Sequence, residues 1–251
     1  MCWSMEASVA VAGAGTLVAA YGARKGEPRA IWLTIGWFAL MEGLQAAGYA
    51  VVDRCDEPAN QIVTVLSYLH IAFQPFFINA LALYFVPAGV ARRLALPVYL
   101  LSALSAAAML LQLYPFAWAG ACRIGRPLCG PVACTVSGEW HIAWQLPLNG
   151  LGNGLEGAVL IGSGFPTYVL IGLVLPFLYG SWRFALFHLL FGPLLAQLLS
   201  GNPGEWPAIW CLFSIGLLLL VVETPLRDLL RVQDWPLWPQ AWRPPAAAAV
   251  E

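Results

Sequence analysis

The sequence contains little charge, and this scarcity excludes most classes of soluble protein. Only 10% of its 251 residues are charged, whereas 60% are hydrophobic and the mean hydropathy is +0.73. Soluble domains carry about 25% charged residues, so this composition is typical of an integral membrane protein. The formal net charge of −1 leaves no basic excess for binding phosphates. We therefore expect the lipid bilayer as a partner and no nucleic acid.

Lysine and histidine are scarce as well, and this limits the comparison with known seven-helix membrane proteins. The only lysine, Lys25, lies in a predicted loop, so no lysine inside the bundle can form a retinal Schiff base. The receptor motifs Asp-Arg-Tyr after the third span and Asn-Pro-x-x-Tyr in the seventh are absent. Ceramidase-like and adiponectin-receptor-like hydrolases bind zinc through three histidines. This chain has three histidines but no His-x-x-x-His in its last span, so the similarity is limited to architecture and count.

Seven long apolar runs make up most of the chain. A membrane-spanning helix needs about 20 apolar residues to cross roughly 30 Å of hydrocarbon, and lipid offers open strands no hydrogen-bond partner. The sequence therefore predicts an all-α integral membrane protein, a seven-transmembrane-helix bundle formed by residues 1–223. Its spans are predicted at residues 7–23, 30–52, 62–86, 94–113, 159–179, 181–200 and 206–222.

Lysine and arginine divide unequally between the two sides of this predicted bundle. In membrane proteins the cytoplasmic loops carry the excess of these residues. The division of nine against three therefore predicts an N-terminus outside and a C-terminus in the cytoplasm. The nine are Arg24, Lys25, Arg29, Arg92, Arg93, Arg183, Arg227, Arg231 and Arg243, and the three are Arg54, Arg123 and Arg126.

The same topology places all six cysteines on or toward the outer side. Disulfides form and persist in the oxidising environment outside the cytoplasm. We therefore predict disulfides that staple the long outer loop, with the pairing left open. A metal site on these thiols is the less favoured alternative, because the paired Cys-x-x-Cys spacing of zinc sites is absent. The cysteines in or beside outer loops are Cys55, Cys122, Cys129 and Cys134.

Two segments do not fit the pattern of spans. Residues 138–164 are rich in glycine and predict a re-entrant or interfacial segment before the fifth helix. Residues 224–251 are expected to form a cytoplasmic surface helix, with leucines and arginines on opposite faces, followed by a Pro/Trp-rich tail. We expect the tryptophans of this tail to touch lipid headgroups.

A short motif occurs twice and contains two of the three histidines. The third predicted span reads His-Ile-Ala-Phe-Gln from His70 to Gln74, followed by a proline and an asparagine. The segment before the fifth span reads His-Ile-Ala-Trp-Gln from His141 to Gln145, again followed by a proline and by Asn149. Polar residues in apolar segments mark candidate sites, so the two copies predict a shared site into which the second segment dips from outside.

Glu42 is the acid nearest the middle of a predicted span. An acid at a helix centre costs about 2.5–3.5 kcal/mol on insertion scales, and intramembrane acids usually have a function. Two imidazoles and a carboxylate form a common catalytic metal set, because they leave one position open for water. We therefore predict that Glu42, His70 and His141 are metal ligands or catalytic acid/base groups. Gln45, Gln74, Gln145, Asn149 and Glu205 are predicted ligand-binding residues.

Each of these residues also has a purely structural interpretation. Buried polar residues often only join helices, at about 0.6 kcal/mol for each contact. Glu205 opens the seventh span, where an acid gains from the helix dipole without any ligand. His188, in the sixth span, is either a core histidine satisfied by a backbone carbonyl or a further member of the site.

Five segments resemble those of an uncharacterised family of multi-pass membrane proteins. They are Met-Cys-Trp-Ser at residues 1–4, Met-Glu-Gly-Leu-Gln at 41–45, His-Ile-Ala-Phe-Gln-Pro-Phe-Phe-Ile-Asn at 70–79, Gly-Glu-Trp-His-Ile-Ala-Trp at 138–144 and Glu-Trp-Pro-Ala-Ile-Trp-Cys at 205–211. The resemblance covers nearly the whole chain. It implies a membrane protein of unknown function and brings no catalytic residues with it.

These observations lead to three hypotheses about function. The first is an outward-opening polar pocket that binds a metal or a small ligand, with membrane-embedded hydrolysis as the expected chemistry if an ion such as zinc is bound. The second is a non-enzymatic transporter or receptor-like protein with the same pocket. The third is a structural or assembly subunit of a membrane complex. The sequence leaves the substrate, the metal and the oligomeric state open.

Overall fold

A computed structural model describes residues 2–153, 166–221 and 225–243, and this part of the chain is mostly helical. Four long helices come first. Ser4 caps the first helix by accepting from the Ala7 N–H, and Gly26 ends it at φ 76°, a conformation that favours glycine. The four helices are α1 (Met5–Lys25), α2 (Arg29–Ala50), α3 (Pro58–Tyr84) and α4 (Ala88–Leu111).

Two helices of the second half contain a π-helical turn. Helix α5 runs through Pro166–Val169, the π turn Leu170–Val174 and Leu175–Leu178, and α6 (Trp182–Leu199) contains the π turn Leu190–Leu194. In α5 the Leu175 N–H donates to the Leu170 carbonyl. The same spacing would pair the next residue, Pro176, with the carbonyl of Ile171, but proline has no N–H to donate. The Asn79 side chain instead donates to the carbonyl of Ile171, at 2.9 Å. Helices α7 (Trp206–Val221) and α8 (Pro225–Leu229) follow.

Five of these helices, α1 to α4 and α6, are long and apolar enough to cross a membrane. Two shorter apolar helices, Thr167–Leu178 and Trp206–Gly216, lie at the positions of the fifth and seventh predicted spans. Residues 159–165 of the fifth predicted span and residue 222 of the seventh lie outside the described residues.

The loop between α4 and α5 contains a three-stranded sheet, so the expectation of an all-α chain is wrong there. Its strands are β1 (Leu128–Cys129), β2 (Cys134–Ser137) and β3 (Ile142–Leu146), in the order β1-β3-β2. β3 pairs in parallel with β1 and antiparallel with β2. Where residues 138–153 were predicted to be re-entrant or interfacial, the chain forms β3 and the 3₁₀ turn Gly150–Gly152, and residues 154–165 lie outside the described part.

Two disulfides hold this sheet, and they use the four cysteines that the sequence singled out. Cys55 is bonded to Cys134, which joins the α2–α3 connection to β2. Cys122 is bonded to Cys129 and closes a short loop that leads into β1. The sequence left the pairing open, and the structure shows one bridge between residues 79 positions apart and one between residues 7 positions apart.

The helix bundle has two different ends. At the sheet end the Trp3 N–H donates to the Trp140 carbonyl, and the Asp53 N–H donates to the Thr135 carbonyl. At the opposite end, here called the tail end, residues 225–243 pack back onto the bundle. There the Val232 N–H donates to the Phe85 carbonyl at 2.8 Å.

Residues 225–243 are therefore folded against the bundle. The Trp238 Nε1 donates to the Tyr179 carbonyl at 2.9 Å, and the Trp235 Nε1 donates to the Leu178 carbonyl at 3.1 Å. Trp238 and Val232 are both buried. The expectation that the tail's tryptophans are turned toward headgroups is thus wrong for Trp238, whose indole is held by protein.

Candidate functional site

His70 of α3 is fully engaged by its neighbours. Its Nε2 lies 2.7 Å from the carbonyl of Trp37, which can only accept, so Nε2 carries the proton and donates. Its Nδ1 lies 3.4 Å from the side-chain amide of Gln74, one turn further along α3. The imidazole also stacks on the Trp37 ring, with 4.3 Å between centroids. Neither ring nitrogen is left with a free lone pair for a metal.

Gln74 is the centre of a buried polar network that joins three helices. Its amide nitrogen lies 3.1 Å from the Sγ of Cys211 in α7, and its amide oxygen accepts from the Tyr168 hydroxyl of α5 at 2.5 Å. Gln74, Tyr168 and Cys211 are all buried. The first copy of the motif therefore packs α3 against α2, α5 and α7 through side-chain hydrogen bonds.

Glu42 of α2 is completely buried and lacks such partners. Neither of its carboxyl oxygens has a hydrogen-bond partner among the residues that the structure describes. The Ser8 hydroxyl of α1 lies beside the carboxyl. Gln45, one turn along α2, donates to the Ala208 carbonyl at 3.2 Å. Glu42 and Gln45 thus lie on the side of α2 that faces α1 and α7.

His141 is buried beneath a group of aromatic rings at the sheet end. Its Nδ1 accepts from the backbone N–H of Ile142 at 2.8 Å, so the proton of the neutral ring is on Nε2. The rings of Trp3 and Trp140 lie with their centroids 6.1 and 6.0 Å from it. Burial lowers the pKa of His141 to about 3, because the charged form would lose its hydration. The imidazole is therefore neutral at physiological pH.

Glu205, which directly precedes α7, binds the turn that leads into β3. Its carboxylate accepts three backbone N–H groups, those of Glu139 at 2.6 Å and of Trp140 and His141 at 2.8 Å each. The side chain is completely buried. Glu205 was predicted to bind a ligand, and the structure assigns its hydrogen bonds to the protein's own backbone.

Gln145 and Asn149, the other predicted ligand residues of the second motif, also have structural partners. The Asn149 amide donates to the carbonyls of Leu111 and Tyr114, at 2.8 and 2.7 Å, and so caps the end of α4. Gln145 is paired through its backbone with Cys134 on β2.

His188 of α6 is a core histidine with a partner other than the expected carbonyl. Its Nε2 accepts from the indole N–H of Trp210 in α7, at 2.9 Å. The same indole lies over Gly192 in the π turn of α6, where an added Cβ would come within 2.5 Å of the Trp210 Nε1. The glycine therefore lets α6 and α7 approach closely enough for this hydrogen bond.

The geometry does not support the predicted metal set of Glu42, His70 and His141. Within the described residues, no group of three or more His, Cys, Asp and Glu side chains is arranged to hold a metal ion. His70 uses both ring nitrogens, and Nδ1 of His141 accepts from Ile142. The two copies of the motif also differ in structure, because one lies in helix α3 and the other leads into strand β3.

Sequence reasoning missed a pocket at the tail end. It has a volume of about 340 Å³ and is lined by residues 83–88, Ala91 and residues 231–233. Arg231 and Arg227 both donate to the Tyr84 hydroxyl beside it, at 2.6 and 2.7 Å. The sequence signal was present in the arginines after α7, but only the folded tail shows that they meet the α3–α4 connection.

A family of unknown function (DUF5765) has a sequence model that matches residues 6–231. The chain belongs to this family. The match confirms the expectation of an uncharacterised family, and the DUF5765 region includes the sheet, Glu42 and the Gln74 network. No curated protein matches the chain, and no solved structure matches it. Membership of DUF5765 assigns no activity, so the function has to be argued from the geometry.

Proposed function

We propose that the chain is an integral membrane protein with seven spans. Large apolar side chains on the outside of three helices support this placement: Leu17, Leu104 and Leu198 are 72%, 66% and 83% exposed. Exposed apolar surface is unfavourable in water by about 25 cal/mol per Å², whereas contact with lipid tails removes that cost. Helices α5 and α7 are shorter, and each would need the residues next to it in the sequence to form one of the two remaining spans.

We further propose that the sheet end lies outside the cytoplasm and the tail end inside. Two independent features of the bundle support this orientation. The nine basic residues of the larger group lie in the tail or in the helix turns nearest the tail end, where cytoplasmic segments are expected to be basic. Both disulfides belong to the sheet end, where an oxidising compartment would preserve them.

Given this placement in the membrane, we propose that the protein is a non-enzymatic transporter or receptor-like protein in which Glu42 binds a proton or a small cation. The observation that carries the proposal is the burial of the Glu42 carboxyl, which in the described part of the chain has the Ser8 hydroxyl beside it but no hydrogen bond of ordinary length. An ionised carboxylate that is neither paired nor hydrogen-bonded is very costly inside a protein. A bound proton or cation removes that cost, so the carboxyl is suited to take up and release one.

The neighbouring amide favours the same class of ligand. The Gln45 side-chain oxygen, one turn from Glu42, is also buried and has no partner among the described residues. Carboxyl and amide oxygens accept hydrogen bonds and coordinate hard cations, so they would repel an anion. The hydrolase hypothesis has less support, because the three side chains that would hold its metal are not arranged as a metal site.

Proteoliposomes provide the test. Purified protein would be reconstituted around an entrapped pH-sensitive dye, and an inside-negative potential would be imposed. We expect proton uptake by the wild type and a loss of about tenfold or more in Glu42→Gln, because the amide cannot take up the proton. The control is Glu57→Gln, a half-exposed acid paired with Arg54 at the sheet end, which should behave like the wild type.

A receptor-like protein would bind the proton without transporting it, so infrared spectroscopy supplies the second readout. The wild type should show the absorption of a buried protonated carboxyl that is absent from Glu42→Gln. If both proteins move protons equally and their carboxyl spectra are identical, the proposed role of Glu42 is wrong.

A further inference from the structure

The pocket at the tail end combines apolar walls with a basic rim. Its volume of about 340 Å³ falls within the range of small-molecule sites, about 300–1,000 Å³. Residues 83–88 of the α3–α4 connection form one side, and Val232 forms the other. The hydrogen bond from the Val232 N–H to the Phe85 carbonyl holds the two sides together.

Arg231 is the cation at this rim, and its contacts leave it accessible. Its guanidinium donates to the Tyr84 hydroxyl at 2.6 Å and lies over the Tyr84 ring, 4.8 Å from the centroid. Asp228 is 3.5 Å away, but that carboxylate is 85% exposed and the Arg231 side chain is 40% exposed, so water screens the pair. Tyr84 therefore orients the guanidinium, and the acid that pairs with it among the described residues is the exposed Asp228.

A second arginine extends the basic rim along α4. Ala88 lines the pocket, and Arg92 lies four residues later, on the same face of the helix. Arg92 is exposed, as is Arg93, whose guanidinium lies over the Trp242 ring at 5.6 Å. Arg231 thus lies in the pocket lining and Arg92 one helical turn beyond it, at the end of the bundle that carries most of the basic residues.

We propose that this pocket binds the phosphate headgroup of an anionic phospholipid. Arginine is well suited to phosphate, because its planar donors match two phosphate oxygens at once. The apolar walls fit the glycerol and the first part of the acyl chains, and basic pockets on the cytoplasmic side of membrane proteins are known to bind anionic headgroups. The lipid would bridge α4 and the tail. This inference rests on the proposed membrane placement but not on the role of Glu42.

The test compares the lipids that the full-length protein retains. Protein would be reconstituted with equal amounts of phosphatidylglycerol and phosphatidylcholine, extracted gently, and analysed by native mass spectrometry. We expect the wild type to retain phosphatidylglycerol preferentially and to gain thermal stability when that lipid is added, because a ligand of the folded state stabilises it. Arg231→Gln should reduce phosphatidylglycerol retention about tenfold.

Two further variants separate the pocket from general effects of charge or folding. Ala88→Trp keeps every charge but fills the pocket from an exposed position, so it should also abolish the preference. Arg54→Gln removes a positive charge at the sheet end and should retain the preference for phosphatidylglycerol. Glu42→Gln should retain this lipid preference as well, which separates this proposal from the function proposed for Glu42. Equal retention of the two lipids by the wild type, or an unchanged preference in Ala88→Trp, would overturn the proposal.

Discussion

The carboxylate of Glu205 accepts the backbone N–H of His141 at 2.8 Å, and this bond joins the start of α7 to the entry of β3. With the N–H groups of Glu139 and Trp140 it gives the carboxylate three backbone donors. Hydrogen bonds to a charged group contribute about 1.5–3 kcal/mol each, so the turn is firmly held. The second copy of the repeated motif thus has its place fixed by an acid located 64 residues later in the chain.

In the turn bound by Glu205, position 138 has no room for a residue larger than glycine. A Cβ added there would lie 2.3 Å from the Glu205 carboxyl carbon and 2.3 Å from the His141 carbonyl oxygen. We expect Gly138→Ala to lower the free energy of unfolding by about 1–3 kcal/mol, because the turn must move away from the carboxylate. Thermal unfolding in detergent would measure this. Gly201→Ala, where nothing lies within 4 Å of the added Cβ, is the matched control and should unfold close to the wild type.

Gln74→Leu tests the buried network of α3. Leucine has a similar size but removes the hydrogen bonds that Gln74 makes with the Tyr168 hydroxyl, the Cys211 thiol and the His70 Nδ1. Removing one partner of a buried hydrogen bond costs about 1–3 kcal/mol, and we expect a loss of stability in that range. Gln61→Leu, at an exposed position of the same helix, should lose much less. Equal effects of the two substitutions would show that the network contributes no more than the exposed hydrogen bond of Gln61 to the Cys55 carbonyl.

The pH dependence of stability should contain a contribution from His141. Its pKa is about 3 in the fold, whereas an unfolded histidine has a pKa near 6.5. As the pH falls below about 6.5 the unfolded chain takes up a proton that the folded chain does not, so stability decreases by up to about 1.4 kcal/mol per pH unit until about pH 3. Above about pH 6.5 this contribution to stability is fully present and constant. The midpoint of thermal unfolding, measured between neutral pH and about pH 5, should therefore fall less in His141→Gln than in the wild type, and parallel profiles would contradict the assignment.

The two disulfides should differ in their effect on stability. Cys55 and Cys134 are separated by 79 residues, but Cys122 and Cys129 by only 7. In the chain-entropy description a longer closed loop restricts the unfolded chain more, by about 2 kcal/mol for these two separations. We expect the double variant Cys55→Ser/Cys134→Ser to lose about that much more stability than Cys122→Ser/Cys129→Ser. Denaturant unfolding of both, beside the reduced wild type, would measure the difference.

Much of the helical framework could be predicted from apolar runs alone, because a helix that meets lipid or other helices on every side needs little polar surface. Strand β3 could not be predicted from such a pattern. All but one of its five residues are buried, so the sequence lacks the alternation that usually indicates a strand. Its neighbouring glycines instead favoured an irregular segment. The strand forms because β1 and β2 pair with it on both sides, and those pairings depend on distant residues.

The candidate site was predicted in part, and the repeated motif explains the error. Glu42 and Gln74 were recognised as buried polar residues, and both are buried. The two histidines were grouped because their neighbours in sequence are alike. His70, however, bonds to a helix carbonyl, whereas His141 accepts from the N–H of the next residue. Five similar residues do not determine a backbone conformation, and the hydrogen bonds of each imidazole follow that conformation.

The contact between the tail and the α3–α4 connection has a consequence for biosynthesis. Arg231 lies 147 residues after Tyr84, the residue whose hydroxyl it binds. At elongation rates of about 5–20 residues per second, Tyr84 is synthesised about 7–30 s before its partner. The α3–α4 connection is therefore synthesised well before the segment that packs on it, and this part of the fold can be completed only after Arg231 has left the ribosome.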